Sequence, residues 1–125
     1  MTDLGIGICG GGYMGKAHAV AMSAVGAVFN TKLRPKLRAV AANSIENATR
    51  YQMAYGFDKA CENWERLVTD PRVEAVVIAS PQSTHRLIAE AAFALGKPVL
   101  CEKPLSTNLE DARAMVAAAD AAGVI

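Results

Sequence analysis

LGIGICGGGYMGKAHA, residues Leu4 to Ala19, runs from a short apolar segment through a glycine-rich turn into the start of an Ala/Val/Met-rich helix pattern. Gly10, Gly12 and Gly15 fit GxGxxG with a strand before and a helix after, which is the context that motif needs to mean anything. Gly10 permits a tight turn, and Gly12 removes the Cβ that would block a pyrophosphate. Gly15 lets helix and strand pack closely while the helix N-terminus faces the anion. Tyr13 and Met14 are either backbone donors whose side chains cover a bound cofactor or simple loop filler. A glycine-rich turn without ligand is the bland alternative, and the strand and helix on either side weigh against it. His18, one turn into the helix, reads as a packed residue.

Working outward, strand and helix patterns alternate. Leu4–Cys9 and Ala17–Val28 form a first βα unit, Leu37–Ala42 and Ile45–Tyr55 a second, with Pro35 interrupting any helix before it and Gly56 closing the helix after it. Ala60–Cys61 is a very short strand. Asn63 caps the turn WERLV, in which Trp64 anchors the short helix, ahead of the turn signal Asp70-Pro71. EAVVIAS, Glu74–Ser80, is apolar on both faces and suits a strand covered by helices on each side. HRLIAEAAFAL follows, capped by Ser83 or Thr84 and stopped by Gly96. PVLC is the next strand, Thr107 and Glu110 form a capping box for a last helix ending at Gly123, and Val124-Ile125 reads as the start of another strand. The fold class is α/β: a Rossmann-type, doubly wound parallel sheet with helices on both faces, occupying residues 1–125 as one dinucleotide-binding domain.

The composition supports a globular domain and excludes several partners. Of 125 residues, 52% are apolar, and 13 basic against 12 acidic residues give a net charge of +1, too balanced for nucleic acid or an anionic membrane as a non-specific partner. Cys9, Cys61 and Cys101 lie outside any CxxC arrangement, so neither a disulfide framework nor a zinc site is indicated. The expected compartment is the cytoplasm. Cys9 and Cys101 sit at strand ends, but no activating histidine is evident in sequence, which disfavours a thiol nucleophile.

In such sheets ligands bind beyond the carboxyl ends of the strands, which singles out GGGYMG, AANS, SPQSTH and CEKP. A site for NAD usually carries Asp or Glu after the second strand to hold the ribose hydroxyls. AANS has none, while Asn43 and Ser44 can donate to a 2′-phosphate and Arg50 is a more distant cation, so the cofactor read here is NAD(P), with NADP favoured. Asn43 and Ser44 can equally serve as helix caps. Lys103, after an apolar strand, is the candidate for proton chemistry at a substrate oxygen. The alternative is a surface lysine paired with Glu102.

GGGYMG, VVIASPQSTH and GKPVLCEKPLS, in that order and at these separations, resemble the Gfo/Idh/MocA family of NAD(P)-dependent oxidoreductases over nearly the whole chain. Glu102-Lys103-Pro104 is the most specific element. The resemblance implies that Ser80 and Pro81 lie along the cofactor, that His85 belongs to the motif lining the nicotinamide side, and that Glu102 and Lys103 reach the cofactor, Lys103 also the substrate. Pro104 is a candidate cis-proline, and Gln82 departs from the asparagine more common there. The implied activity is hydride transfer between a nicotinamide cofactor and a hydroxyl or carbonyl carbon of a sugar, cyclitol or related polyol, in a homo-oligomer. The family's second α+β domain, with its proton-transfer aspartate and histidine, has no counterpart here. The chain is therefore expected to be a fragment that binds nucleotide without full catalysis. A stand-alone nucleotide-binding or sensor module, and an S-adenosylmethionine-binding methyltransferase-like domain, are the alternatives.

Overall fold

The computed structural model describes all residues, 1–125. Five parallel strands, β1 (Thr2–Cys9), β2 (Leu33–Ala41), β3 (Lys59–Cys61), β4 (Ala75–Ile78) and β5 (Val99–Cys101), lie in the order β3-β2-β1-β4-β5. Five α-helices connect or follow them: α1 (Tyr13–Phe29), α2 (Ile45–Tyr55), α3 (Trp64–Val68), α4 (His85–Ala94) and α5 (Leu109–Ala122). β1 pairs with both β2 and β4, so the strand order reverses beside it and opens a crevice at its carboxyl end.

Alternation along the strands divides the core between the two faces. Ile6, Ile8, Val40 and Val77 pack with Ala19 of α1 and with Phe57 on one side. Cys9, Ala41, Val76 and Ile78 pack with Leu67, Ile88, Phe93 and Met115 from α3, α4 and α5 on the other. Leu67, Ile78 and Ile88 are fully buried, and truncating any of them to alanine removes about 2–5 kcal/mol of stability. No helix is long and apolar enough to cross a membrane.

Several boundaries differ from the sequence expectation. α1 begins at Tyr13 rather than Ala17, so the glycine motif supplies its first turn. β2 starts at Leu33 and contains Pro35, opposite Leu4 of β1. β3 pairs only with Ala39–Ala41, leaving the first half of β2 without an outer neighbour, where a residue lacking N–H is tolerated. β4 stops at Ile78, though Ala79 N–H still donates to Cys9 O. The cap of α5 is Asn108, whose side chain accepts from Asp111 N–H at 2.7 Å, one residue along from the Thr107/Glu110 box expected. Thr84 precedes α4 without capping it, because its hydroxyl turns back to Pro81 O at 2.6 Å and Ser80 Oγ at 2.8 Å. Asn63 and Ser44 cap α3 and α2 as expected, and Gly56 and Gly123 end α2 and α5 in the left-handed region. Ile125 O accepts from Val99 N–H at 2.8 Å, so the chain's last residue lies beside β5.

Candidate functional site

Beyond the carboxyl ends of β3, β2, β1 and β4 lies a crevice of about 730 Å³, within the size range of small-molecule sites. Gly10, Gly12, Asn43, Ser80 and Pro81 line it, joining three of the four strand-end segments.

The glycine turn has the geometry its pattern implies. Gly10 has φ +96°, and a Cβ there would stand 2.6 Å from Ala79 O. A Cβ on Gly15 would stand 2.1 Å from Gly10 O, so this glycine lets α1 press against the turn. A Cβ on Gly12 would meet no protein atom within 4 Å, which leaves the space above that residue to a ligand. The first hydrogen bond of α1 runs from Lys16 N–H to Gly12 O, and the amides of Gly11, Gly12, Tyr13, Met14 and Gly15 meet no protein acceptor. With no acidic residue in the first turn of α1, these free donors and the positive end of the helix dipole suit a phosphate anion. Tyr13 projects into solvent with 88% of its surface exposed, so its own side chain packs against nothing here.

At the end of β2, Asn43 Oδ1 accepts from Asn47 Nδ2 at 2.7 Å, leaving the Asn43 amide NH2 as a donor toward the crevice. Ser44 caps α2: its Oγ accepts from Asn47 N–H at 3.1 Å, which leaves its own hydroxyl hydrogen free, and it is not part of the lining. Arg50 lies over the ring of Tyr51, 5.4 Å from its centroid. The lining holds no lysine or arginine and one carboxylate, that of Glu62 after β3. Glu62, Tyr51 and Trp64 are crevice residues that sequence reasoning missed or underrated. Trp64 does anchor α3 against the core, but it also lines the crevice.

His85 belongs to the SPQSTH segment that lines the crevice but does not itself reach the lining. It is buried beneath the lining, Nδ1 at 3.1 Å from Leu105 O and Nε2 at 3.0 Å from Ser80 O, so it ties the SPQSTH loop to the segment after Pro104. Thr84 and Ser80 meet the crevice instead.

Lys103 follows the apolar strand β5, as expected, and is exposed, outside the crevice lining. The Lys103-Pro104 peptide is cis. Glu102 does not pair with the Lys103 ammonium: its carboxylate accepts from the His18 ring at 2.8 Å and from Lys103 N–H at 3.3 Å. The His18 hydrogen bond, more than any other influence, holds the Glu102 carboxyl below the usual carboxylate range.

The cysteines are poor nucleophiles. Burial pushes the Cys9 thiol up to about 12 and the Cys101 thiol up to about 11.

The residues present fit a dinucleotide: a row of free amides at a helix N-terminus, a glycine with open space above it, and Asn43 as a donor further along the crevice. Comparison with known proteins agrees. A family model described as an oxidoreductase family, NAD-binding Rossmann fold, matches residues 4–125. Levoglucosan dehydrogenase of Pseudarthrobacter phenanthrenivorans is 36% identical over 116 residues, 92% of this chain and 30% of that protein. The 1,5-anhydro-D-fructose reductase of Ensifer adhaerens is 45% identical over 84 residues, 67% of this chain and 25% of that protein. A solved levoglucosan dehydrogenase in complex with NADH and L-sorbose superposes with a TM-score of 0.96 at 33% identity, covering 100% of this chain and 34% of that one. The chain thus spans about a third or less of the length of these relatives.

Proposed function

The chain belongs to the Gfo/Idh/MocA oxidoreductase family as its NAD-binding Rossmann domain, and from that premise we propose that it is the cofactor half of a sugar or polyol dehydrogenase. The carrying observation is the run of unpartnered amides from Gly11 to Gly15, whose first two residues, Gly11 and Gly12, line the crevice. Those amides hold the diphosphate, the Asn43 amide donates to the adenosine ribose, and Ser80 and Pro81 border the nicotinamide end. When bound, the nicotinamide supplies or accepts the hydride. Lys103, at the loop after β5, is the group that holds or moves a proton at the substrate oxygen, and Glu102 serves it by anchoring the loop rather than by touching cofactor. His85 supports Ser80 from below. The substrate class follows from the relatives, which are named for levoglucosan and 1,5-anhydro-D-fructose. A homo-oligomeric complete protein in the cytoplasm accords with this reading.

The 2′ position separates the two dinucleotides. No carboxylate at the end of β2 repels a 2′-phosphate, which is why AANS points to NADP. Yet no cation lines the crevice, Ser44 lies outside its lining, Arg50 rests on Tyr51, and Glu62 adds a negative charge. The case for NADP thus narrows to the absent carboxylate and the Asn43 donor, and NAD(H) is the principal cofactor of this proposal, with NADP(H) bound more weakly.

Calorimetric titration of the chain with NADH, NADPH and S-adenosylmethionine tests the proposal. Saturable binding of NADH, weaker binding of NADPH and none of S-adenosylmethionine is expected. Binding of S-adenosylmethionine without either dinucleotide would overturn it.

A further inference from the structure

Gly11 occupies a variable position of GxGxxG, yet this chain has no room there for any side chain. A Cβ on Gly11 would stand 2.0 Å from Cδ2 and 2.3 Å from Cε2 of Tyr51, inside the ring's own volume. Tyr51 comes from α2 and forms part of the crevice wall. One turn further along α2, Tyr55 stacks on it with ring centroids 5.7 Å apart and planes within 10° of parallel. The Tyr55 hydroxyl donates to Gly11 O at 3.2 Å.

These contacts decide which way one peptide faces. In a trans peptide the carbonyl and the following N–H point in opposite directions. With Gly11 O held toward Tyr55, the Gly12 N–H is aimed away from α2, and it has no protein acceptor. Turning that peptide over would offer an anion a carbonyl oxygen in place of a donor. A glycine pair has little intrinsic preference between the two orientations, so something outside the loop must choose.

We propose that Tyr51 and Tyr55 are positioning residues for diphosphate binding: Tyr55 fixes the Gly11 carbonyl away from the anion, and the Tyr51 ring, seated on Gly11, holds the loop against α2. The proposal rests on the dinucleotide function above. The glycine motif supplies the amides, and the tyrosine pair on a neighbouring helix sets their direction.

The test uses the 125-residue chain, with NADH binding followed calorimetrically and the Gly12 amide followed by 1H–15N correlation spectra in wild type, Tyr55→Phe, Tyr51→Ala, Gly11→Ala and the Gly11→Ala/Tyr51→Ala double variant. Tyr55→Phe keeps the stack and loses one hydrogen bond, so NADH binding weakens about fivefold. The Gly12 amide resonance of this variant responds less to NADH, a signature that a purely structural role of Tyr55 would not produce. Gly11→Ala collides with the Tyr51 ring and weakens binding on the order of thirtyfold. In the Tyr51→Ala background the same change costs nothing further, because its obstacle is gone. Equal NADH affinity and an unchanged NADH response of the Gly12 amide in Tyr55→Phe would overturn the tyrosine role while leaving the dinucleotide site intact, as would additive losses from Gly11→Ala and Tyr51→Ala. Failure of the wild-type chain to bind NADH would overturn the dinucleotide reading and this proposal with it.

Discussion

His18 Nε2 and Glu102 Oε1 meet at 2.8 Å, joining the helix that starts in the glycine turn to the loop that carries Lys103. The two residues are 84 positions apart, and both side chains are less than one-fifth exposed. In the proposed function this contact ties the diphosphate end of the site to the chemical end.

Replacing Glu102 with glutamine tests that link. Because its folded-state pKa is depressed by the His18 hydrogen bond, the Glu102 carboxylate stabilises the fold above its ordinary value of about 4.5, and the contribution is lost as pH falls through the depressed value. Wild type should therefore melt above Glu102→Gln at pH 6, and the gap should close on acidification. A gap independent of pH would show that the pair contributes no charge-linked stability.

Gly12 separates binding from folding. Its backbone is extended, with φ −71° and ψ −157°, and an added side chain meets no protein atom, so Gly12→Val should leave thermal stability nearly unchanged. In the ligand's space the same side chain should cost about 2 kcal/mol or more, a loss of NADH affinity of about thirtyfold. Unaltered affinity would place the diphosphate elsewhere.

Asp70 contributes to the opposite end of the sheet. Its buried carboxylate accepts from Arg72 N–H at 2.8 Å and from the Arg72 guanidinium at 3.1 Å, and the guanidinium hydrogen bond is the main influence holding its carboxyl below the usual range. Asp70→Ala should destabilise by about 2 kcal/mol near neutral pH, read by chemical denaturation, without changing NADH affinity. As its folded-state pKa is depressed, the difference should fade as pH drops below about 3.8 and through the depressed value. Undiminished stability in Asp70→Ala would remove this account of the turn.

The thiols provide a chemical check. With Cys9 pushed up to about 12 and Cys101 up to about 11, both are protonated at pH 8, and native protein should react with a disulfide reagent far more slowly than denatured protein. Rapid labelling of Cys9 in the native chain would contradict its burial.

Much of the fold is legible in short-range pattern. EAVVIAS and the glycine motif each announce a buried strand or a turn within a few residues, and Asn63, Ser44, Gly56 and Gly123 do locally what such residues do at helix ends. Pro35 misleads because its tolerance in β2 depends on β3 being short, a fact about a neighbouring strand. Asn108 and Thr107 are both competent caps, and local pattern does not choose between them. The site is legible where glycines and strand ends mark it and illegible where partners converge from afar: Glu102 with His18, His85 between two carbonyls, and Tyr55 with Gly11, 44 positions away. Glu62 and Trp64 went underrated because a three-residue strand carries little periodicity.

Mapping of 1H–15N amide shifts during an NADH titration of the chain tests the central claim most directly. The account predicts saturable shifts concentrated at Gly10–Gly15, Asn43 and Ser80, with the α4–α5 surface around Glu90 and Gly96 unmoved. Shifts centred on that surface, or none at the glycine turn at saturating NADH, would contradict it.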